Sequence, residues 1–339
     1  MALNEQPLLT IAIPTYNRSF YLERNLENVL MQYSREMSIE ILISDNASTD
    51  DTKDIVEKFI YLGLPIRYLK NSINEGADYN IGQCYWSAQS KFVLVLGDDD
   101  ILLSGAIKKI LYIIENVKDE LGVIHLKAHG FKDDYLKEKP KDNLVKGFIS
   151  YDNKEEYIEQ ISHYVTFISV NVVNTKFVDD KQVALEYKDT KLIQVSSILK
   201  AILSAPHNIY VTECLMMGQM DNSGGYDLFN VFAKNLYGIY QKVGGDRFAR
   251  IIMREVIKES IPFYIMRFRE NNIGSYSVTI DKKYLDSLKK DYTSYWGFIY
   301  PLLALPKSVI FPYFVGIRAL NKLRRSLRIL YKIGQVQPF

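Results

Sequence analysis

The stretch KFVLVLGDDDILLSG, residues 91–105, places three consecutive aspartates directly after a run of apolar residues. The apolar run predicts a buried strand over residues 91–97. Asp98, Asp99 and Asp100 repel one another at neutral pH unless a cation or solvent offsets their charge. A solvated loop, or acids placed ahead of the next helix, would explain such a triplet in isolation. The position of the triplet in the fold therefore decides between a loop and a cation site.

Strands and helices alternate through the first 128 residues around this stretch. The apolar runs predict strands over residues 8–14, 39–44, 66–71, 91–97 and 122–128. Helical spacing predicts helices over residues 21–32, 48–60, 79–89 and 104–117, the second capped by Ser48 or Thr49. Alternation at this spacing predicts an α/β fold, Rossmann-like, with a mainly parallel sheet flanked by helices.

Polar clusters follow four of these strands, and in such sheets ligands bind at the carboxyl ends of the strands. The clusters are PTYNR (14–18), DNAST (45–49), NSINEGADYN (71–80) and GDDD (97–100). At this edge the triplet favours a cation. If it stays extended, Asp98 and Asp100 point to one side and Asp99 to the other. Two carboxylates beside a glycine suit Mg²⁺ or Mn²⁺.

Two of the polar residues keep more than one interpretation. Asp45 caps a turn or accepts hydrogen bonds from a base or ribose. Arg18 reaches a phosphate or forms a surface ion pair. The sequence has no GxxxxGK loop and no GxGxxG after the first strand, which disfavours kinase-type NTP hydrolysis and dinucleotide binding.

Taken together, IAIPTYNR, ISDNASTDDT, NSINEGADYNIGQC and FVLVLGDDDIL resemble the motifs of family 2 glycosyltransferases with the GT-A fold, in order, over about the first 130 residues. The GDDD form, with FISVNVVNTKF at 167–177, is most similar to abequosyltransferase-like enzymes of bacterial O-antigen synthesis. The resemblance implies an inverting enzyme that uses Mn²⁺ or Mg²⁺. It would move a sugar from a nucleotide-diphosphate donor to a lipid-diphosphate-linked saccharide during O-antigen or surface polysaccharide synthesis.

The same resemblance assigns roles to residues of this chain. Asp98 would contact the ribose or the sugar and, with Asp100, the metal, while Asp45 would hold the base. The remaining donor-binding residues that it implies are Thr15, Tyr16, Arg18, Asn74, Asp78 and Asp99.

The general base is harder to locate, because the acidic pair common in the family is not visible. The nearest acids are Glu186 and Asp189, ahead of an amphipathic helical pattern that extends to residue 203. An inverting transferase needs a base to take the proton of the attacking hydroxyl. Asp189 is equally well explained as a cap of that helix.

Composition limits the remaining classes. The formal net charge is +2, but seven Lys or Arg and no acid follow Asp291, so residues 1–291 carry −5. This distribution gives no sign of a nucleic-acid groove. The two cysteines lie far apart and no signal peptide is evident, so a reduced, cytoplasmic protein is expected.

The chain is expected to divide into a GT-A domain (1–225), a helical acceptor-side region (226–291) and an aromatic, basic tail (292–339). In the tail, Leu320, Leu323, Leu327 and Leu330 share one face of a helix over residues 317–333 with Arg and Lys around them. Such a helix favours peripheral association with the inner face of the cell membrane. Packing on the protein's own body and a homodimer contact are the alternatives.

Two other functions compete with the transferase. A sugar-nucleotide- or carbohydrate-binding protein of the same fold without catalysis stays open, because the base is uncertain. A nucleotidyltransferase also has a Rossmann-like sheet and a metal, but it usually carries a Gly-rich basic loop where this chain has PTYNRS.

Overall fold

A computed structural model of the chain describes residues 6–117, 120–140, 145–220, 225–270, 277–279 and 281–339. The chain forms two compact units. The first comprises Met1–Lys154, Phe167–Met220 and Gln335–Phe339, and the second comprises Glu155–Thr166 and Asp221–Gly334. The predicted division at residue 225 lies close to the boundary at 220–221. The excursion of 155–166 into the second unit and the return of 335–339 to the first were not predicted.

The first unit is built on one mixed sheet, whose described strands we number in chain order. They are β1 (Leu9–Thr15), β2 (Ile39–Asp45), β3 (Ile66–Lys70), β4 (Phe92–Val95), β5 (Ile101–Leu102), β6 (Leu121–Phe131), β7 (Phe148–Tyr151), β8 (Asn171–Asn174) and β9 (His207–Gln219). The strand order is β3-β2-β1-β4-β8-β6-β9-β5, and β7 pairs with β9.

The part of the sheet that carries the polar clusters is parallel, as the alternation predicts. Strands β3, β2, β1 and β4 are parallel neighbours, whereas β8 pairs antiparallel with both β4 and β6. Ile11, Ile13 and Ile41 are fully buried because helices cover both faces of these strands. The carboxyl ends of β1, β2 and β4 consequently meet at one edge.

Helices of the first unit join these strands. They are α1 (Ser19–Gln32), α2 (Thr52–Tyr61), α3 (Ala77–Trp86), α4 (Ala106–Asn116), α5 (Tyr135–Glu138), α7 (Lys181–Leu185) and α8 (Gln194–Ser204), with α6 (Lys154–Ile161) leading into the second unit. The expected cap of α2 is wrong: the helix begins after Asp51, and Ser48 donates from its backbone to Asp45 and accepts from Asn17.

The second unit is helical in its described part. It contains α9 (Leu236–Glu270), whose two helical segments meet at Gly245, then α10 (Lys282–Asp291), α11 (Ser294–Phe298), α12 (Tyr300–Ala304) and α13 (Lys307–Tyr331). Pro301 lies in the first turn of α12 and Pro306 precedes α13, where proline is tolerated, but Pro312 lies inside α13. No helix in the described ranges has both the length and the hydropathy needed to span a membrane.

The segment 335–339 adds to the edge of the first unit's sheet. Gln337 exchanges two backbone hydrogen bonds of 2.9 Å with Phe148 of β7. Phe339 packs against Phe148 and Tyr112. Gly147 makes room for this pairing, because its φ is +139° and a Cβ there would lie 2.1 Å from the Gln337 carbonyl oxygen.

Candidate functional site

Three of the predicted polar clusters lie together at the carboxyl edge of the sheet. Thr15 ends β1 and pairs in register with Asp45, which ends β2 and pairs in turn with Lys70 of β3. Gly97 follows β4, the other neighbour of β1. The parallel strand order therefore brings hydrogen-bond donors and carboxylates from three adjacent strands to one edge of the sheet, as predicted.

The aspartate triplet forms a turn rather than continuing the strand, so the condition under which Asp98 and Asp100 would point to one side of an extended chain does not hold. The Asp100 N–H donates to the Gly97 carbonyl at 3.1 Å. The side chain of Asn25 on α1 donates to the carbonyls of Gly97 and Asp100 at 3.0 and 2.9 Å. A Cβ at residue 97 would lie 2.8 Å from the Asp100 carboxylate, so a larger residue there would displace that carboxylate.

Asp98 and Asp99 share one cation. The Arg18 guanidinium contacts Asp98 at 3.2 Å and Asp99 at 2.5 Å. The Thr15 hydroxyl donates to the other Asp98 oxygen at 2.9 Å. Thr15, Arg18, Asp98 and Asp99, all predicted donor-site residues, thus form one hydrogen-bonded cluster.

Asp100 is held from a different direction. The Ser169 hydroxyl donates to one carboxylate oxygen at 2.5 Å, and the Gln219 backbone N–H donates to the other at 3.0 Å. Ser169 also accepts from the Gly97 N–H at 2.9 Å. The carboxylate is buried, and its position is fixed by two segments far away in sequence.

Burial leaves these carboxylates short of positive charge. It raises the pKa of Asp98 to about 7, a shift that Arg18 opposes and Asp99 reinforces. Burial, followed by the charge of Asp99, also raises the pKa of Asp100 to about 7, against the hydrogen bonds from Ser169 and Gln219. In the described chain, the ion pair with Arg18 at Asp98 is the one salt bridge that these two buried acids make.

The acids suit a divalent cation in charge and ligand type. Carboxylate oxygens are the ligands that Mg²⁺ and Mn²⁺ prefer. No three His, Cys, Asp or Glu side chains converge into a complete metal cage within the ranges that the structure describes. Mg²⁺ usually binds through one or two carboxylates together with substrate phosphates. Asp98 and Asp100 fit that kind of site.

Asp45 is fully buried and both of its carboxylate oxygens are engaged inside the protein. One accepts from the Ser48 N–H at 2.7 Å, and the other from the Tyr68 hydroxyl at 2.5 Å. The turn-capping interpretation of Asp45 is therefore observed, and its contact with a base stays a prediction. Tyr16, by contrast, is exposed at the end of β1.

The cluster after β3 is fastened to the same edge. The side chain of Asn74 accepts hydrogen bonds from Asn46 and Gly76 at 2.7 and 2.9 Å. Asn80 of α3 donates to the carbonyl oxygens of Ser44 and Thr15 at 2.9 and 3.3 Å. These contacts hold the first turn of α3 beside the ends of β1 and β2.

Asp78 links that turn to the candidate base. Its buried carboxylate accepts from the Lys191 N–H at 3.0 Å, and burial raises its pKa. Asp189 and Lys191 have φ of 70° and 63°, a left-handed backbone that costs energy for residues other than glycine. Asp78 therefore holds the unusual turn that carries Asp189.

The two candidate bases lie on the surface of this turn, between α7 and α8. Glu186 ends α7 and is exposed, as is Asp189. The expectation that Asp189 caps the next helix is wrong, because α8 begins after Ile193. Asp189 therefore does not cap a helix, and its role as the general base stays a prediction.

Several residues of the site were not predicted. Asn25, Ser169 and Gln219 fix the triplet, and Arg24 donates to the Asp99 carbonyl at 2.8 Å. Ser169 lies within the quoted FISVN motif, which was the one available signal. The histidines are not part of this cluster in the described contacts: His125 is buried against Asn171, and burial lowers its pKa to about 4.

The C-terminal helix presents an apolar surface to solvent. Leu320, Leu323, Leu327 and Leu330, which we call the leucine face, have 51–55% of their surface exposed. Phe311 and Val315 on the same helix are exposed as well.

The cations of this helix point mainly the other way, which corrects the expectation that they surround the leucines. Arg324 and Arg325 pair with buried Glu259 at 2.9 Å. Arg328 contacts Glu255 and Glu159, and Lys332 pairs with Glu156 at 2.8 Å. These ion pairs fasten α13 to the second unit and leave less charge for an external partner.

Comparison with known proteins agrees with this geometry. Residues 10–173 match the model of Glycosyl transferase family 2. The abequosyltransferase RfbV of Salmonella typhimurium is 37% identical over 120 residues, 35% of each chain. A Campylobacter jejuni GalNAc(5)-diNAcBac-PP-undecaprenol beta-1,3-glucosyltransferase is 34% identical over 106 residues, 31% of this chain and 34% of that protein. The aligned segment thus spans about a third of these relatives.

Similarity of fold extends further than similarity of sequence. The crystal structure of Staphylococcus aureus TarS 1-349 in complex with UDP-GlcNAc superposes with a TM-score of 0.56 at 17% identity, covering 97% of this chain and 92% of that one. At this identity the likeness concerns the fold alone. The motifs, the sheet and the family match agree, and residues 10–173 are similar to family 2 glycosyltransferase domains with the GT-A fold.

Proposed function

We propose that the protein is an inverting, metal-dependent glycosyltransferase that takes a sugar from a nucleotide-diphosphate donor during synthesis of a bacterial O-antigen or related surface polysaccharide. The observation that carries the proposal is the pair of buried carboxylates, Asp98 and Asp100, at the carboxyl edge of a family 2 domain. Their charge is matched to a divalent cation, and the edge is where ligands of such sheets bind.

Asp98 and Asp100 would hold Mn²⁺ or Mg²⁺, which, when bound, offsets the negative charge of the departing diphosphate. The protein's own part is positional. Thr15 and Arg18 orient Asp98, while Ser169 and the Gln219 N–H orient Asp100. Arg18 is additionally available to a donor phosphate, because a guanidinium carries several N–H donors.

The remaining donor contacts follow the family resemblance. Tyr16 is exposed and free to face the nucleotide, Asp99 and Asn74 lie at the same edge, and Asp45 would hold the base through the cluster that it supports. Asp189 or Glu186 would accept the proton of the attacking hydroxyl. Asp78 fixes the turn of Asp189, so it acts as a positioning residue.

The proposed acceptor is a saccharide carried on a lipid diphosphate, at the inner face of the cell membrane. The name of the Campylobacter relative includes a PP-undecaprenol-linked saccharide, which supports this choice. The exposed leucine face of α13 supports peripheral membrane contact, because an amphipathic helix can bury such a face at the boundary of the lipid chains.

The test is a panel of nucleotide sugars, each with and without Mn²⁺ or Mg²⁺, followed by thermal unfolding and by a transfer assay on lipid-linked saccharides. A ligand that binds the native state raises the unfolding temperature. One donor should stabilise the protein only with the metal, and Asp100→Ala and Asp100→Asn should remove that stabilisation and the transfer. Asp51→Ala, an exposed acid whose side chain makes no cap bond, is the matched control.

Metal-independent binding and transfer in the Asp100 variants would remove the metal from the proposal. Metal-dependent donor binding without transfer to any acceptor would instead favour a binding protein of the same fold.

A further inference from the structure

The second unit contains a cavity that the donor site does not use. Its volume is about 410 Å³, within the range of small-molecule sites. Residues of α9 and α13 line it, together with the segment at His163 and Tyr164. Two kinds of side chain dominate the lining, aromatic rings and arginines.

The aromatic part offers a partly exposed ring. Phe263 has 39% of its surface exposed, and the Arg267 guanidinium lies 4.9 Å from the centre of its ring. Behind it, Tyr264 is buried and stacks on Phe232 with ring centres 6.2 Å apart. Arg267 lies over one face of the Phe263 ring, so a sugar, which is apolar on its faces and polar at its rim, would pack on the ring surface that stays exposed.

The charge of the lining is positive. Glu259 is the one acid among the described residues that line the cavity. Arg324 and Arg325 already compensate its charge at 2.9 Å, and His163 lies 3.4 Å from it. Arg318 also lines the cavity, is exposed, and takes part in none of the ion pairs of the described residues. The cavity therefore attracts an anion.

A buried amide adds a hydrogen-bond acceptor. The Asn321 side chain donates to the Lys258 carbonyl at 2.7 Å, while its own oxygen is buried and has no partner in the described part of the chain. A buried acceptor without a donor is costly, so this oxygen is suited to a ligand hydroxyl. Arginine, aromatic ring and amide oxygen together match phosphate, sugar ring and sugar hydroxyl.

We propose that this cavity binds the phosphorylated sugar at the head of the lipid-linked acceptor; the identity of the acceptor rests on the proposed function. The two faces of α13 support the assignment. Arg318 and Asn321 line the cavity, whereas Leu320 and Leu323 on the same helix are exposed. A head group in the cavity and a lipid chain in the membrane would thus both lie against α13.

The test measures binding of glucose 1-phosphate and of methyl glucoside to the full chain by calorimetry, with EDTA present to suppress metal-dependent donor binding. Glucose 1-phosphate should bind more tightly than the uncharged glucoside. Loss of one charge-assisted hydrogen bond in Arg318→Gln should weaken binding of the phosphate roughly tenfold or more. Phe263→Ala should weaken both probes, and Arg250→Gln, an exposed arginine of another groove, should change neither.

The second arm uses the lipid-linked acceptor in the transfer assay. Arg318→Gln should raise the KM for this acceptor and leave the donor KM and the unfolding temperature unchanged. An unchanged acceptor KM overturns the inference, even if the soluble sugar phosphate binds, because the cavity then serves a free sugar phosphate. If no donor supports transfer while the probes bind as expected, the proposed function fails and the anion-binding cavity stands.

Discussion

The leucine face of α13 offers the sharpest prediction of the proposed function. Changing its four leucines to glutamine keeps helix propensity high and removes the apolar surface. Because each of these side chains is also about half buried, the four substitutions should cost the fold some stability, and the unfolding temperature is therefore measured beside membrane binding. Membrane binding should fall strongly.

The size of the fall follows from the exposed surface. Complete burial of a leucine contributes about 1.5–3 kcal/mol, so a half-exposed leucine that enters the lipid contributes about half of that. The four residues, 51–55% exposed, therefore supply about 3–6 kcal/mol. The membrane partition coefficient should drop by roughly two to four powers of ten.

The assay is co-sedimentation with vesicles of phosphatidylethanolamine and phosphatidylglycerol, with the unfolding temperature measured in parallel. The matched control replaces Leu62 and Leu136 of the first unit, 47% and 57% exposed, with glutamine. Binding by the unchanged protein should depend on salt less than the seven cations after Asp291 would suggest, because four of them, Arg324, Arg325, Arg328 and Lys332, are paired within the protein.

Equal vesicle binding by the leucine-face variant and the unchanged protein would refute the reasoning. So would the absence of vesicle binding by the unchanged protein. If the unchanged protein instead sediments as a dimer that the substitutions dissociate, the face is covered by a second copy of the chain.

Four further predictions concern the first unit. The pKa values of Asp98 and Asp100 are about 7, so protons compete with the metal below neutral pH. The Mn²⁺ affinity measured by calorimetry should therefore rise roughly tenfold per carboxylate from pH 6 to pH 8. An affinity that does not change over this range contradicts the prediction. Without metal, the stability of the fold should change with pH in the opposite direction to metal affinity. Asp98 and Asp100 bind protons more tightly in the folded than in the unfolded chain, so the free energy of unfolding should fall as the pH rises from about 4 to about 7. Asp78→Ala should lower kcat by about tenfold and leave the donor KM unchanged, because the turn that carries Asp189 loses its hydrogen bond. Asp78→Asn, which keeps an acceptor, should restore most of the rate. A parallel rise in the donor KM would argue that Asp78 contacts the donor directly. Gly147→Ala should destabilise the protein by about 1–3 kcal/mol in urea unfolding, because a side chain there would displace the paired Gln337 backbone. Gly334→Ala is the control, since a Cβ at that position meets open space and should not destabilise the protein. Equal stability of the two variants would contradict the role of the pairing.

The strands and the edge that carries the site could be predicted because they depend on short-range patterns. Buried parallel strands give continuous apolar runs, and four of the five predicted strands end in a polar cluster, so Thr15, Asp45 and Gly97 were located from local sequence alone. The resemblance to family 2 motifs added the roles proposed for Thr15 and Asp45. Such signals do not depend on knowing what the rest of the chain does.

The contacts that tune the site could not be predicted, because they come from distant segments. Ser169 and Gln219 reach Asp100 from 69 and 119 residues away. The inward direction of the α13 arginines depends on buried Glu255 and Glu259, which lie on a helix more than sixty residues earlier. Periodicity identified the apolar face of α13, but it gave no account of which partners its charges would find.

The pairing of Gln337 with Phe148 has a consequence for biosynthesis. Residues 335–339 leave the ribosome after every residue of the second unit. The backbone groups on the outer edge of β7 that pair with Gln337 are therefore unpaired while the second unit is synthesised. Uncovered strand edges recruit other strands and promote aggregation. Translation that stops before residue 335 should therefore yield nascent chains that depend on chaperones, even though nearly all of the first unit's sheet has already been synthesised.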